Sequence, residues 1–370
     1  MRMIGAYAME SKCKKKMLYI MGIDWMWIYQ RPHILAEKLS QEYELTVIFP
    51  RSILRAYLKN KYENDNRFHK RILWTIPYQE KNKVIEMLIH GIQQKIFNDY
   101  QLFDYIYIGY PLYARYIKED YQGKLIYDCM DNHEALYSDK QRVHRIIEQE
   151  KQLLNNCDIV IVTSQVLFEK VNKIAEKQKA ILIRNGAKFN SICDIKIQQI
   201  KKQYKVGYIG TIAQWFDYNV LECSLRKSIP VTYHIIGPVK TTDRKKTEGI
   251  VYEGSIEHKC LAVYISEYDC LIMPFKINEI VLSVDPVKLY EYIAFGKCII
   301  SVFYPEIERF RDFVYFYNNM EDYCQLLTRL CNEGFPTKYN EIQQRQFLHE
   351  NSWDERYEKL IQVIKTDKAK

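Results

Sequence analysis

Val284-Asp285-Pro286-Val287-Lys288-Leu289-Tyr290-Glu291-Tyr292-Ile293-Ala294-Phe295-Gly296-Lys297, followed by the apolar run Cys298 to Phe303, is the stretch that decides the fold. Asp285 suits an N-cap, Pro286 the first helical position and Gly296 the left-handed residue that ends a helix, so a helix of about ten residues is expected, with a buried strand after it. Val287, Leu289, Tyr290, Ile293 and Ala294 supply its apolar positions. Lys288 and Glu291, three apart, share the polar face. A lysine in the first helical turn opposes the macrodipole, and Lys before Glu is the poorer order for an intrahelical pair. A bound anion would explain both: the helix amides with Lys288 could hold a diphosphate, and Glu291 could accept from ribose hydroxyls. An ordinary exposed ion pair is the plain alternative.

Outward from this unit the same alternation continues in both directions. Toward the N-terminus, Lys205 to Gly210 reads as a strand ending in Gly, Asp217 caps a helix over 218–227, and Val231 to Ile236 is a strand ending in Gly237-Pro238. Strands at 250–253 and 270–274 flank a helix over 256–268, and a strand at 313–317 follows the unit. Residues 187–204 are polar and read as an interdomain linker. Before them lies an earlier series: strands at 17–22, 45–49, 102–109, 125–128, 159–163 and 180–184, with helices over 34–42 and 140–155. Such alternation predicts an α/β protein of two doubly wound, Rossmann-like domains. The boundaries are expected at 1–190 and 204–345. Ser352-Trp353-Asp354-Glu355 is a capping box opening a last helix, about 352–370, with Trp353, Tyr357, Leu360, Ile361 and Ile364 on one face; it is expected to pack back on the N-terminal domain.

At 370 residues the chain suits two domains. Hydrophobic residues at 48% and charged residues at 27% exclude a disordered chain. The net charge of +8 favours anionic partners such as phosphates or an acidic membrane surface. Ten cysteines without a C-x-x-C pair, most of them inside apolar runs, read as buried thiols of a reducing cytosol. Met17 to Ile23 after a basic segment resembles the start of a signal peptide, but Asp24 interrupts it. No apolar stretch reaches the roughly 18 residues of a membrane span. Residues 51–61 read as a short basic amphipathic helix, either a plain surface helix or a peripheral membrane contact. The expected location is therefore cytoplasmic, with the inner face of the membrane as the sharper option.

Gln30-Arg31-Pro32-His33 opens a helix just after the first strand, where ligands bind in open parallel sheets. Arg31 could contact phosphate or an acidic acceptor, or serve structurally. Asp128, Asp131, His133 and Glu134 cluster after another strand, a suitable place for a base that deprotonates a hydroxyl, and Asp131 is favoured. A solvated carboxylate loop or a helix cap is the alternative. Gly210-Thr211 and Gly237-Pro238 end strands where backbone could approach a phosphate closely, or where the chain simply turns. No Asp-x-Asp metal motif, zinc-type His pair or P-loop is present, so no metal, no NTPase and no nucleic-acid role is expected.

These residues, with Tyr127-Asp128-Cys129-Met130-Asp131, Asn185-Gly186, Gly207-Tyr208-Ile209-Gly210-Thr211-Ile212, Trp215-Phe216-Asp217 and the Asp285 to Tyr292 segment, resemble GT-B glycosyltransferases. In particular the chain is similar to bacterial surface-polysaccharide enzymes of the teichuronic-acid biosynthesis type. The resemblance covers roughly 17–360 and implies two domains facing a cleft. It also implies a nucleotide-sugar donor, such as a UDP-sugar or GDP-sugar, held as substrate near Gly210, Thr211, Pro238, Ser255, Pro286, Val287, Lys288 and Glu291. The acceptor, a polysaccharide or polyprenyl-linked glycan, would lie on the N-terminal domain near Asp131, Arg31 and His33. No further cofactor is implied. The chain departs from the larger retaining family at Ser283, where that family carries an acidic residue. A catalytically silent nucleotide-sugar-binding or scaffold partner of a polysaccharide synthase, or another GT-B enzyme such as a nucleotide-sugar epimerase, is the alternative function.

Overall fold

Short runs rich in β-branched and aromatic residues become strands buried on both faces, as parallel sheets require. In a computed structural model of the chain, residues 14–55, 67–77, 83–175, 180–187, 193–195, 200–239, 246–256 and 258–366 are described. The first half forms β1 (Lys16–Ile20), α1 (Arg31–Glu42), β2 (Glu44–Ser52), β3 (His69–Thr75), α2 (Lys83–Ile96), β4 (Tyr105–Ile108), β5 (Lys124–Cys129), α3 (Lys140–Asn156), β6 (Ile159–Val162), α4 (Gln165–Ile174) and β7 (Ala180–Leu182). Its strands make one parallel sheet in the order β3-β2-β1-β4-β5-β6-β7. Successive side chains alternate between its faces: Met17 and Tyr19 enter one apolar cluster, Leu18 and Ile20 the other.

The second half contributes β8 (Tyr204–Ile209), α5 (Tyr218–Arg226), β9 (Val231–Ile236), β10 (Ile250–Gly254), α6 (His258–Ser266), β11 (Cys270–Met273), α7 (Glu279–Leu282), α8 (Val287–Ala294), β12 (Cys298–Val302), β13 (Tyr315–Tyr317), α9 (Met320–Glu333) and α10 (Glu341–Glu350). Its sheet is also parallel, in the order β10-β9-β8-β11-β12-β13. The strand order reverses between β1 and β4 in one sheet and between β8 and β11 in the other, and such switch points are where open α/β sheets bind ligands. The last helix, α11 (Trp353–Thr366), returns to the first half. Its Trp353, Tyr357, Leu360, Ile361 and Ile364 share a cluster with β1 and α1, as the sequence pattern requires.

Several expectations are corrected. Asp285 does not cap α8: Pro286 occupies that position, without a side-chain cap, and the helix begins at Val287. Gly296 does take the left-handed conformation, with φ of 64°. The helix expected over 51–61 is not seen at its start, where Arg51 and Ser52 end β2 and Ile53–Arg55 make one 3-10 turn; residues 56–61 lie outside the described residues. Part of the strand expected at 102–109 is instead a 3-10 turn, Tyr100–Leu102. β3 and α2, and also α9 and α10, lie where the sequence pattern yields no assignment.

The two sheets meet through their carboxyl ends. Ser164 and Gln165 follow β6, Arg184 and Asn185 follow β7; facing them, Ser283 and Asp285 follow β11, and Glu306 follows β12. The Ser164 hydroxyl donates to the Ser283 carbonyl at 2.7 Å, and the Gln165 amide to Glu306 Oε2 at 2.7 Å. The ends of β6 and β7 therefore face those of β11 and β12.

Candidate functional site

On the second sheet, the ends of β8, β9 and β10 are stitched by backbone. The Gly210 amide donates to Ile236 O at 2.8 Å, the Gly237 amide to Gly254 O at 2.7 Å, and the Ile212 amide to Pro238 O at 2.9 Å. Gly210 and Gly237 have φ of +145° and +138°, which side chains rarely adopt. A Cβ on Gly237 would stand 2.2 Å from Gly210 O. The pair must be glycine for these strand ends to close on each other. Thr211 and Pro238 lie half-buried beside them, and Ser255, one strand further out, is exposed.

Helix α8 is held over this point by Tyr292, whose hydroxyl accepts from the Ile209 amide at 3.0 Å and lies 3.3 Å from Ile272 O. That phenol bridges β8 and β11 at the switch point, a role the sequence did not disclose because both partners are backbone groups of strands remote from Tyr292. With α8 fixed, Lys288 is laid against Gly210: a Cβ on Gly210 would come 2.6 Å from Nζ. The ammonium is 5.8 Å from the centre of the Tyr208 ring and makes no hydrogen bond or ion pair with the described residues. Burial pushes its pKa down, with Glu291 opposing the effect. A half-buried cation whose opposing charge is Glu291 one turn on, beside open backbone at a switch point and the first turn of a helix, is an arrangement that can accept an anion. Pro286, which has no N–H, leads into that turn, whose first amides belong to Val287 and Lys288.

Across the junction, Asp131 follows β5. It is half-buried, and burial, then Asp128, raise its carboxyl to about 6, against the opposing pull of Arg31. No side-chain hydrogen bond occupies it among the described residues. Arg31 is fully engaged: Nε and Nη2 donate to the two Asp128 oxygens at 3.0 and 2.9 Å, and Nη1 reaches Ile183 O at 3.1 Å and Arg184 O at 3.3 Å. Its guanidinium thus cross-braces α1, β5 and the exit from β7. His33 is also committed. Its Nδ1 accepts from the Gln30 amide at 3.3 Å and its Nε2 faces Trp25 O at 3.0 Å, so the neutral Nε2–H tautomer satisfies both contacts and burial keeps the pKa low. His133 is buried too, pushed to about 3 by burial and Lys170. Glu134 pairs with Lys170 at 3.0 Å, so of the carboxylates expected at this end Asp131 is the one that carries no ion pair or side-chain hydrogen bond among the described residues. Among the described residues no three His, Cys, Asp or Glu side chains gather as a metal site.

Between the two half-sites runs a polar network the sequence did not reveal. Asp285 Oδ2 accepts from the Asn185 amide at 2.6 Å, the Asn185 side chain donates to Asp285 O at 2.8 Å, and Arg309 pairs with Asp285. Glu306 joins Arg184 at 2.8 Å and Arg309 at 3.0 Å. The signal available was an Asp before Pro, which reads as a cap, and a Glu-x-x-Arg spacing, which reads as a surface pair.

Comparison with known proteins follows the geometry. No family model matches the chain. TuaH of Bacillus subtilis, assigned as a teichuronic acid biosynthesis glycosyltransferase, is 24% identical over 234 residues, spanning 58% of this chain and 58% of that protein. The matched stretch is therefore less than two thirds of that relative. Among solved structures, Anabaena HepE, in complex with UDP and glucose, is 11% identical with a TM-score of 0.69, covering 95% of this chain and 99% of that one. The lipopolysaccharide outer core galactosyltransferase WaaB, in its apo form, is 13% identical with a TM-score of 0.66, covering 95% and 100%. An Escherichia coli trehalose-6-phosphate structure bound with UDP-2-fluoro glucose is 8% identical with a TM-score of 0.67, covering 95% and 99%. The chain has the GT-B fold.

Proposed function

We propose that this GT-B chain is a glycosyltransferase, moving a hexosyl group from a nucleotide-sugar, a UDP-sugar first, to a hydroxyl of a surface-polysaccharide or polyprenyl-linked acceptor. The observation that carries the reading is Lys288, a half-buried ammonium pressed against Gly210 at the switch point of the second sheet. Similarity to TuaH, and the UDP ligands of HepE and of the trehalose-6-phosphate structure, supports a diphosphate as the missing anion.

In the proposed reaction Asp131 takes the proton of the acceptor hydroxyl, and the acceptor oxygen bonds to the anomeric carbon. The bond from that carbon to the diphosphate oxygen breaks, and its electron pair leaves with the nucleoside diphosphate. Lys288 and the first-turn amides of α8 stabilise the charge that gathers there. Glu291, one turn on, would accept from the ribose, and Thr211, Pro238 and Ser255 would border the nucleotide. Arg31 and His33 act at one remove, holding Asp128 and the α1 entrance in place. Because Lys288 supplies countercharge, transfer is expected to persist in EDTA.

A panel of UDP-, GDP-, ADP- and CMP-linked sugars, incubated with the protein and lipid-linked acceptors, tests the proposal. Release of one nucleoside diphosphate above background is the expected result. Saturable binding without turnover would instead assign the chain as a silent nucleotide-sugar-binding partner, and neither binding nor turnover by folded protein would defeat the reading.

A further inference from the structure

Asp131 stands on a segment that no helix or strand holds, since residues 130–139 connect β5 to α3 through turns alone. A carboxylate there keeps a fixed place only if side chains from elsewhere tie down the backbone around it. Such ties are present on both sides. Before Asp131, the Thr163 hydroxyl donates to Met130 O at 3.1 Å. After it, the Lys170 ammonium of α4 donates to Asn132 Oδ1 at 2.8 Å and pairs with Glu134 at 3.0 Å.

Lys170 does more than neutralise one acid. It also reaches Glu150 Oε2 of α3 at 3.4 Å, and the other oxygen of that buried carboxylate accepts from the Tyr127 hydroxyl of β5 at 2.6 Å. The ammonium thus joins α4, α3 and the 130–139 segment, with β5 one bond further on. Burial works against its charge, but Glu150 and Glu134 outweigh burial and hold its pKa above the ordinary value. The helix that carries it is anchored in turn. The Ser164 hydroxyl caps α4 by accepting from the Leu167 amide at 3.3 Å while donating to Ser283 O, and the Gln165 amide is held by Glu306. Asp131 is therefore placed relative to the second sheet as well as to its own.

We propose that Lys170 is the positioning residue for Asp131, clamping the segment on which that carboxylate stands. It makes no hydrogen bond or ion pair with Asp131 and acts through Asn132 and Glu134. The role rests on the proposed reaction for its purpose, since that reaction needs the base held against the acceptor hydroxyl.

Carboxyl nuclear magnetic resonance titration of the full chain, isotope-labelled on aspartate, tests this without turnover, with Asp131→Asn identifying the signal. Besides burial, Asp128 and Arg31 set the Asp131 titration, and Glu134, Glu150, Cys129 and His133 are the titratable groups around Lys170. Loss of a positive charge could by itself only raise a carboxyl pKa, so a fall reports release of Asp131 from its half-buried seat into water. Wild-type Asp131 should titrate at about 6. In Lys170→Met it should titrate at about 5 or lower, whereas Lys173→Met, which takes the same charge from an exposed position on α4, should leave it unchanged. Should Lys170→Met melt early because Glu150 has lost its cation, Asn132→Ala unpairs no charge and should move Asp131 in the same direction. Where transfer is measured, kcat should fall about tenfold or more in Lys170→Met with UDP affinity unchanged. An Asp131 titration unchanged or raised in the folded variants, or already at about 4 in wild type, would overturn the proposal. A fall in titration in a chain whose wild type transfers nothing would support the clamp and count against Asp131 as the base, so the two failures are separable.

Discussion

Asp131 and Lys288 are both held in the charge state that costs the fold something. The Asp131 carboxyl rises from its ordinary 3.8 to about 6, so the folded chain binds that proton more tightly than the unfolded one. Stability then falls as pH rises through that interval, and above about 6 the cost is constant. Replacing Asp131 by Asn should raise the melting stability at pH 7.5, by about 1 kcal/mol once its partial exposure is allowed for, with the gain vanishing below about pH 4. Transfer should be lost in the same variant, and in wild type kcat/KM should fall as pH drops through about 6 because the base becomes protonated. A variant no more stable than wild type at pH 7.5, or a wild-type rate flat from pH 5 to 8, would contradict this account. Lys288 follows the same logic with opposite charge: burial lowers its pKa, Glu291 offsets part of that cost, and a bound anion would offset more.

At the scale of elements, α8 was legible because everything that forms it is local: an apolar stripe, a proline at the entrance and Gly296 at the exit. What sequence could not supply was the partner of each polar group. Asp285 has the residue type and position of a cap, yet its oxygens are taken by Asn185 and Arg309 from 100 and 24 residues away. Lys288 and Glu291 were singled out by an awkward helix position, and the structure adds the Gly210 backbone beside Lys288. The helix α2 was missed for a physical reason. Periodicity reports one apolar face but not which way it looks, and here Val84, Met87, Leu88 and Ile92 look outward while Glu86, His90 and Gln93 hold the helix to its neighbours. At 51–55, basic and apolar residues imitate the start of a helix, while Ser52 is bound to Thr75 in the sheet.

At the scale of the whole molecule, the long-range architecture was readable from alternation alone, since strand runs separated by helical segments leave little choice but two parallel sheets. The junction was not, because apart from the Glu306–Arg309 pair its bonds join segments remote in sequence. Its centre joins buried Asp285 and Glu306 to half-buried Arg309, and it ties the entrance of α8 to Asn185, where the chain leaves the first sheet. Asp285→Asn should therefore cost about 3 kcal/mol in denaturant unfolding, less than a wholly isolated pair would because Glu306 remains beside Arg309. It should also widen the solution scattering envelope, whereas an unchanged midpoint would show that the network does not hold the domains.

The central claim is that Lys288 and the first turn of α8 receive a nucleoside diphosphate, and titration calorimetry of UDP into the wild-type chain and Lys288→Ala tests it most directly. Saturable binding by wild type, weakened about tenfold or more in a variant that melts no earlier, is the result this account predicts. Equal affinity in the two proteins, or no saturable binding of UDP or GDP by a folded wild-type chain, would contradict it.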